Sequence, residues 1–202
     1  MRRAVFVLLS LALTALAAPT FSLEAIPWQE GRALSWEDFR GPPPADPQGK
    51  VAELALELRV TWETRLFFSQ GTWWAQIVRF SVENLAIPSR SWVLPEKKTP
   101  EVLAHEQGHF DIQEVYRRIL ERKLAQLVRE EFKASGRSQS EALDRLESKI
   151  RELLEKVQVK NREVQDLYDR DTQNNLQKQR EWEMRIREWL LNPDLAPRPW
   201  NA

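Results

Sequence analysis

The strongest constraint on the fold of this chain is a change in composition near residue 100. From Glu101 to Leu191 the chain contains two glycines and no proline, and it is dense in leucine, glutamate, arginine, lysine and glutamine. These residues favour helices, whereas glycine and proline interrupt them. From Phe21 to Pro100 the chain is instead rich in tryptophan, proline and residues that favour strands. We therefore predict an α+β fold, with a small antiparallel β-sheet followed by a long antiparallel helical hairpin.

The first part contains the pattern of a β-hairpin. Apolar and polar residues alternate from Leu54 to Trp62, as in a half-buried strand. A second strand is predicted from Trp73 to Val82, and Gln70-Gly71-Thr72 supplies the turn between the two. The apolar face of this second strand would consist of Val78, Phe80 and Val82. The strand is also expected to offer a free edge to an extended polypeptide.

Two further segments complete the prediction for the first part. The proline-rich segment 41–47 is expected to be a loop, because proline cannot join the interior of a sheet. Ser91-Trp92-Val93-Leu94 lies between Pro88 and Pro95 and is predicted to form another strand.

Helix boundaries in the second part follow from capping residues and breakers. Thr99-Pro100-Glu101 supplies a capping hydroxyl, a proline for the first turn and a carboxylate at the positive end of the helix. We predict a first helix from Pro100 to Lys133 and a break at Ser135–Ser138. A second helix is expected from about Ser140 to Leu190, ending before Asn192-Pro193.

The N-terminus has the pattern of a secretory signal peptide. Met1-Arg2-Arg3 precedes an apolar run of 13 residues, Ala4–Leu16, which leads into Ala15-Leu16-Ala17. The run is too short for a lasting membrane anchor, so we expect cleavage after Ala17 or Ala18 and export to the periplasm or the medium.

The remaining chain, 19–202, has the length of a single domain. It is expected to comprise a β-rich part (21–98), the helical hairpin (99–191) and a C-terminal tail (192–202). The absence of cysteine excludes disulfides and thiolate zinc sites. A net charge of zero gives no electrostatic indication of nucleic-acid binding.

The candidate site is the helical segment His105-Glu106-Gln107-Gly108-His109, which holds both histidines of the chain. Side chains four residues apart lie on the same face of a helix, so the two imidazoles can bind one ion. Glu106 lies about 100° around the helix, from where it can reach a metal-bound water without binding the metal. This is the pattern of a zinc metallopeptidase, in which glutamate is general base and acid.

The alternative is two ordinary histidines on a long helix, because this motif is short. Three observations favour the metal site. The motif follows a well-formed helix start, and Gly108 sits inside the helix, where glycine is costly. The histidines also lie on the apolar face of the helix, together with Val102, Ile112, Tyr116, Ile119 and Leu127.

A third zinc ligand must be an oxygen, since no cysteine or further histidine is present. If the helices run antiparallel about a turn near residue 136, His105 faces about residue 168 and His109 about residue 164. Of the acids there, only Asp171 shares the apolar stripe of the second helix, so we predict Asp171 as the third ligand. An ion pair between Asp171 and Lys123 is the alternative. The other acids nearby are Glu163, Asp166 and Asp169.

Tyr168 and Tyr116 also face the predicted contact between the helices. Either phenol could stabilise an oxyanion, although packed core tyrosines are the commoner case.

Several runs of the sequence resemble a bacterial family described as predicted secreted zinc-dependent proteases. They are Leu34-Ser35-Trp36-Glu37-Asp38-Phe39-Arg40-Gly41-Pro42, Ser91-Trp92-Val93, His105-Glu106-Gln107-Gly108-His109-Phe110-Asp111-Ile112 and Tyr168-Asp169-Arg170-Asp171-Thr172. The resemblance spans most of the chain after residue 18. It implies a zincin-like domain that uses Zn2+ to hydrolyse peptide bonds.

One departure from that family concerns the metal site. In the family the tyrosine–aspartate segment continues Thr-x-His-Gly, whereas here it continues Thr172-Gln173-Asn174-Asn175. If the histidine is the family's third ligand, Asn174 is a weak substitute or Asp171 takes its place. If the ligand is the acid at Asp171 or Asp169, the site is intact.

The sequence therefore predicts a secreted zinc metallopeptidase acting on a polypeptide substrate in the cell envelope or medium. His105, His109 and Asp171 would hold the metal, and Glu106 would move the proton. The alternative is a non-catalytic zinc-binding or degenerate envelope protein with a structural or interaction role.

Overall fold

The structure is a computed structural model that describes residues 24–173 and 175–200. The predicted signal peptide, residues 1–18, lies outside the described residues, as does Asn174. None of the helices in the described part is long and apolar enough to cross a membrane.

A long β-hairpin forms the centre of the sheet. Strand β3 (Leu56–Ser69) pairs antiparallel with strand β4 (Thr72–Ala86), and Ser69 lies opposite Thr72. The turn residues Gln70 and Gly71 have φ angles of 51° and 77°, and two positive φ angles are what a tight two-residue hairpin turn requires. The predicted hairpin is confirmed, and both strands are longer than the sequence pattern indicated.

The predicted apolar face of β4 is wrong at Val78. Glu63 lies opposite Arg79 and Thr64 lies opposite Ile77, so Val78 has no cross-strand partner in this pair and forms a bulge. A bulge shifts the two-residue alternation by one position. As a result Ile77 is buried, whereas Val78 is 37% exposed.

Strand β4 is the central strand of this sheet. Its other edge pairs with β1 (Ile26–Pro27) at one end and with β6 (Lys133–Gly136) at the other. The predicted free edge of this strand is therefore covered at both ends, and within the described part of the sheet residues 77–84, between these two partners, lack a strand partner on that side. Strand β6 was not predicted, because four residues after a long helix carry too little alternation to be recognised.

The helical part contains three helices rather than two. Helix α1 spans Pro100–Arg129, α2 spans Gln139–Thr172 and α3 spans Leu176–Leu191. The predicted cap of α1 is confirmed, since Thr99 Oγ1 accepts a hydrogen bond from Val102 N at 3.3 Å. The prediction of one continuous second helix is wrong. Asn175 caps α3 and accepts from Lys178 N at 3.0 Å.

A second, smaller sheet lies near the start of α1. Strands β2 (Ala52–Glu53) and β5 (Trp92–Val93) pair antiparallel, in agreement with the strand predicted at 91–94. The segment 41–47 is a loop, as predicted.

The α+β fold class is confirmed, with α1 and α2 packed against the sheet and α3 packed against both of these helices. The main core joins β3 and β4 to all three helices and includes Ile77, Val82, Ile112, Leu120, Leu146, Val157 and Trp182. A smaller apolar cluster joins the N-terminal segment and β2 to the start of α1 and includes Leu34, Phe39, Leu54, Val93 and Phe110. The HExxH segment of α1 thus lies between the sheet and α2.

Candidate metal centre

His105 and His109 are brought together by the helical spacing of α1. Their ring centroids are 4.7 Å apart, and the two Nε2 atoms are 3.1 Å apart. Both side chains are partly buried where α1 meets α2. The sequence-predicted pair of imidazoles therefore shares one small volume, as the i, i+4 spacing requires.

Helix α2 contributes an acid to the same volume, and this acid is Asp169. Asp169 Oδ1 lies 3.1 Å from His105 Nε2 and 2.9 Å from His109 Nε2. Among the described residues, these three form a group of metal-ligand type whose donor atoms all lie close together. The predicted register was accurate to about one residue, because His105 was expected to face residue 168.

Asp171, the predicted third ligand, lies outside this group. Its Oδ2 atom accepts a hydrogen bond from Trp182 Nε1 of α3 at 3.1 Å. A continuous second helix, as predicted, would leave this face of α2 without a partner. In the structure α3 is a separate helix and packs against this face. The alternative partner, Lys123, donates to Gln126 Oε1 at 3.1 Å.

Two polar side chains of α2 orient the imidazoles: Gln165 orients His109, and Thr172 orients His105. Gln165 Nε2 donates to the backbone carbonyl of His109 at 3.0 Å, which turns Gln165 Oε1 towards His109 Nδ1 at 2.5 Å. Thr172 Oγ1 donates to Tyr168 O at 2.7 Å, so it can accept from His105 Nδ1 at 3.3 Å. Both Nδ1 atoms therefore carry the proton, and both Nε2 atoms direct a lone pair towards Asp169.

Three electron-rich atoms, His105 Nε2, His109 Nε2 and Asp169 Oδ1, therefore lie within about 3 Å of one another. With neutral imidazoles no proton lies between them, so the arrangement is repulsive unless a cation lies among them. Two nitrogen atoms and one carboxylate oxygen are a donor set that zinc prefers. Ligands of a tetrahedral zinc ion are about 3.3 Å apart, so the spacing of these atoms fits a zinc ion with small adjustments.

The carboxylate and the imidazoles shift one another's pKa. Partial burial opposes ionisation of Asp169, but the close approach of His105 and His109 outweighs it and holds the pKa of Asp169 well below its usual range. Burial opposes the charged form of His109, yet Asp169 and Glu106 raise the pKa of His109 above its ordinary value. The site is therefore electronegative and attracts a cation.

Glu106 lies beside the histidines on α1 and points towards the segment just before β3. It is only 5% exposed, and its Oε2 atom accepts from Leu54 N at 2.9 Å. Burial raises the pKa of Glu106, whereas the nearby His109 and His105 act in the opposite direction. The hydrogen bond from Leu54 N orients the Glu106 carboxylate and joins the segment after β2 to the histidine motif.

Gly108 is explained by the aromatic ring of Tyr168. A Cβ atom at position 108 would lie 2.3 Å from Tyr168 Oη and 2.6 Å from its Cζ. The Tyr168 ring stacks on the His105 ring at a centroid distance of 4.8 Å and meets the His109 ring edge-on at 5.0 Å. Gly108 thus lets the tyrosine pack against both imidazoles.

The two tyrosines are core residues in this structure. Tyr168 donates its hydroxyl proton to His105 O at 3.2 Å, and Tyr116 donates to Pro197 O at 2.9 Å. Burial raises the pKa of both phenols, so both remain protonated at neutral pH. Tyr168 supports the imidazoles, whereas Tyr116 ties α1 to the C-terminal segment.

Sequence reasoning missed the supporting roles of the residues between the histidines and beyond them. Gln107 Oε1 accepts from Leu34 N at 2.8 Å, and Gln107 Nε2 donates to Asp111 Oδ1 at 2.8 Å. Asp111 Oδ1 also accepts from Trp28 Nε1 at 2.7 Å. These bonds hold the N-terminal segment against α1. The partners in the N-terminal segment, Leu34 and Trp28, lie more than 70 residues from Gln107 and Asp111, so no local signal identifies these two bonds.

Comparisons with protein-family models, curated proteins and solved structures give no match for this chain. The resemblance to secreted zinc-dependent proteases therefore rests on the motifs quoted above and stays a prediction.

Proposed function

We propose that this protein is an exported zinc metallopeptidase in which His105, His109 and Asp169 hold the metal ion. The observation that carries the proposal is the close group of His105 Nε2, His109 Nε2 and Asp169 Oδ1. Its support is the orientation of both imidazoles by Gln165 and Thr172, which directs their lone pairs to one point. A buried carboxylate beside them, Glu106, supplies the group that moves the proton.

Two histidines and one carboxylate leave the fourth position of a tetrahedral zinc ion open, as in catalytic rather than structural sites. Zinc bound there supplies a Lewis acid that acidifies a water molecule and polarises a substrate carbonyl. Glu106 is suited to accept a proton and return it to the leaving amine, because burial raises its pKa above the ordinary value of a carboxyl group. The bond from Leu54 N keeps one carboxylate oxygen in place during this exchange.

Metal content of the chain from residue 19 onwards, measured by elemental mass spectrometry, tests the ligand set. We expect about one zinc per chain, and none in His105→Ala. Asp169→Asn should weaken zinc binding by more than the roughly 10–100-fold typical of an outer-shell residue. Asp171→Asn is the matched control two residues away and should bind zinc as the unchanged protein does. Equal zinc affinity in the two aspartate variants would contradict Asp169 as a ligand.

Peptidase activity tests the catalytic part of the proposal separately. Glu106→Gln should retain zinc but lose roughly 10²–10⁴-fold of the rate of peptide hydrolysis, as expected for a general acid–base residue. A protein that binds zinc but cleaves no peptide in a diverse substrate library would be a non-catalytic zinc-binding protein. Absence of zinc after incubation with excess metal would overturn the proposal altogether.

A further inference from the structure

Four aromatic residues lie at the turn of the central hairpin. The sequence Phe67-Phe68 precedes the turn and Trp73-Trp74 follows it. The strand register places Phe67 opposite Trp74 and Phe68 opposite Trp73, so each face of the hairpin carries one ring pair. The centroid distances are 6.5 Å for the first pair and 5.3 Å for the second. We call these four residues the aromatic tip.

The aromatic tip is partly open to solvent. Phe68 is 59% exposed and Phe67 and Trp74 are partly buried, whereas Trp73 packs against the main core. Water-exposed apolar rings that adjoin one another commonly mark a surface that meets another apolar phase or a partner. Because the two ring pairs lie on opposite faces of the hairpin, both pairs contact another phase only if the end of the hairpin enters it edge-on.

Two cations accompany the aromatic tip. The Arg65 guanidinium lies 5.7 Å from the centroid of Phe67, and the Lys133 ammonium lies 5.2 Å from that of Trp74. Among the ion pairs of residues 24–173 and 175–200, none involves Arg65 or Lys133. Farther from the turn, the arginines of the same strands pair with glutamates, as in Arg59–Glu57 and Arg79–Glu63. Positive charge without a carboxylate partner therefore accumulates at the tip.

We propose that the aromatic tip docks the protein on a membrane surface that contains anionic lipids. Trp and Phe rings partition into the boundary between headgroups and acyl chains, where tryptophan is enriched. Arg65 and Lys133 stand beside the rings at the level where lipid phosphates would lie. The combination of rings with cations distinguishes this surface from a purely electrostatic one.

The tip lies at the far end of the hairpin from the candidate metal centre. The metal centre adjoins the opposite end, where Leu54 bonds to Glu106 just before β3 begins. Thirteen residue steps along β3 correspond to roughly 40 Å at the usual rise of a strand. Docking through the tip therefore leaves the metal centre facing away from the bilayer, and the proposal does not depend on zinc.

The test is co-sedimentation of the chain from residue 19 with vesicles of phosphatidylcholine, with or without phosphatidylglycerol, at low and high salt. We expect binding to the vesicles that contain phosphatidylglycerol at low salt. Phe68→Ser should weaken it about 10-fold, from loss of one buried ring. Lys133→Gln should weaken it about 5-fold at low salt and less at high salt.

Matched variants control for general loss of apolar surface or charge. Met184→Ser changes an apolar side chain that is equally exposed, at 60%, but lies on α3, and Lys97→Gln removes an exposed lysine far along the chain from the tip. Both should bind vesicles within about 2-fold of the unchanged protein, since surface changes elsewhere have little effect. Circular dichroism confirms that each variant is folded.

Two results would overturn membrane docking. The first is no binding to the anionic vesicles at low salt. The second is binding to the anionic vesicles that Lys133→Gln weakens but Phe68→Ser does not, which would mark a general polyanion surface.

Discussion

At the scale of single residues, Gly108 and Gln165 show how the candidate site depends on close contacts between α1 and α2. Gly108 admits the Tyr168 ring, and Gln165 binds both the ring nitrogen and the carbonyl of His109. Neither residue would bind a metal ion itself. Gly108 lets the Tyr168 ring pack against the imidazoles, and Gln165 orients the His109 ring by accepting a hydrogen bond from its Nδ1.

Replacing Gly108 by alanine should destabilise the protein, although alanine is the better helix former by about 1 kcal/mol. The new methyl group would overlap Tyr168, and overpacking of this kind costs roughly 1–3 kcal/mol. Urea unfolding of the zinc-free protein measures the change. Ser148→Ala, an exposed position in α2, is the control and should be neutral or slightly stabilising. A stabilised Gly108→Ala protein would show that the ring does not pack as described.

Replacing Gln165 by leucine should weaken zinc binding about 10–100-fold, because His109 Nδ1 loses its acceptor. Competition with a chelator of known affinity measures this, and Gln177→Leu at an exposed position of α3 is the matched control. The 15N chemical shifts of His109 in the zinc-free protein supply a second readout. They should report more of the tautomer protonated on Nε2 in the variant. Unchanged shifts and affinity would exclude this orienting role.

At the scale of elements, the interruption between α2 and α3 has the largest effect on the site. Helix α3 packs beside Tyr168 through Trp182, whose ring centroid is 5.5 Å from that of Tyr168. Trp182 Nε1 also donates a hydrogen bond to Asp171 Oδ2. Asp169 therefore lies on the side of α2 that faces α1. Asp171 lies on the side that faces α3 and has a different partner.

Asn175→Ala distinguishes this interrupted arrangement from one continuous helix. In the structure Asn175 caps α3, so its loss should cost about 1 kcal/mol. In a continuous helix alanine would instead stabilise, because it is the better interior residue. Thermal unfolding measures the sign, and Asn175→Ser, which keeps a capping oxygen, should stay close to the unchanged protein. An increase in stability for the alanine variant would favour the continuous helix.

At the scale of the whole molecule, the sheet and the helices meet at Glu106, a buried carboxylate that bonds to the backbone near β2. Burial raises the pKa of Glu106 in the folded protein. The folded protein thus binds this proton more tightly than the unfolded chain does. The contribution to stability is greatest below the unfolded pKa and is lost as pH rises through the folded pKa.

Glu106→Gln should therefore stabilise the zinc-free protein more at pH 8 than near pH 4, because glutamine has no charge to bury. Glutamine keeps an oxygen that can accept the bond from Leu54 N. Unfolding temperatures of both proteins in the presence of a chelator measure the difference at each pH. A difference that does not vary with pH would contradict a raised pKa. The variant also separates the two roles of Glu106, since the stability gain and the loss of peptidase activity have different causes.

The sequence alone determined the features that short-range patterns encode. Two-residue alternation and the Gln70-Gly71 turn predicted the hairpin, while capping and helix-forming residues predicted α1 with its start at Thr99. The i, i+4 spacing placed His105 and His109 side by side. The position of the break near residue 136 also predicted the register between α1 and α2 to about one residue.

The tertiary structure alone decided which acid joins the histidines and where the second helix ends. Asp169 and Asp171 are two residues apart on α2. The packing of α1 brings Asp169 to the histidines, and the packing of α3 brings Trp182 to Asp171. Strand β6 forms because β4 has a free edge beside it, not because its four residues favour a strand. Such outcomes depend on contacts between segments far apart in the chain, whose energies no local pattern contains.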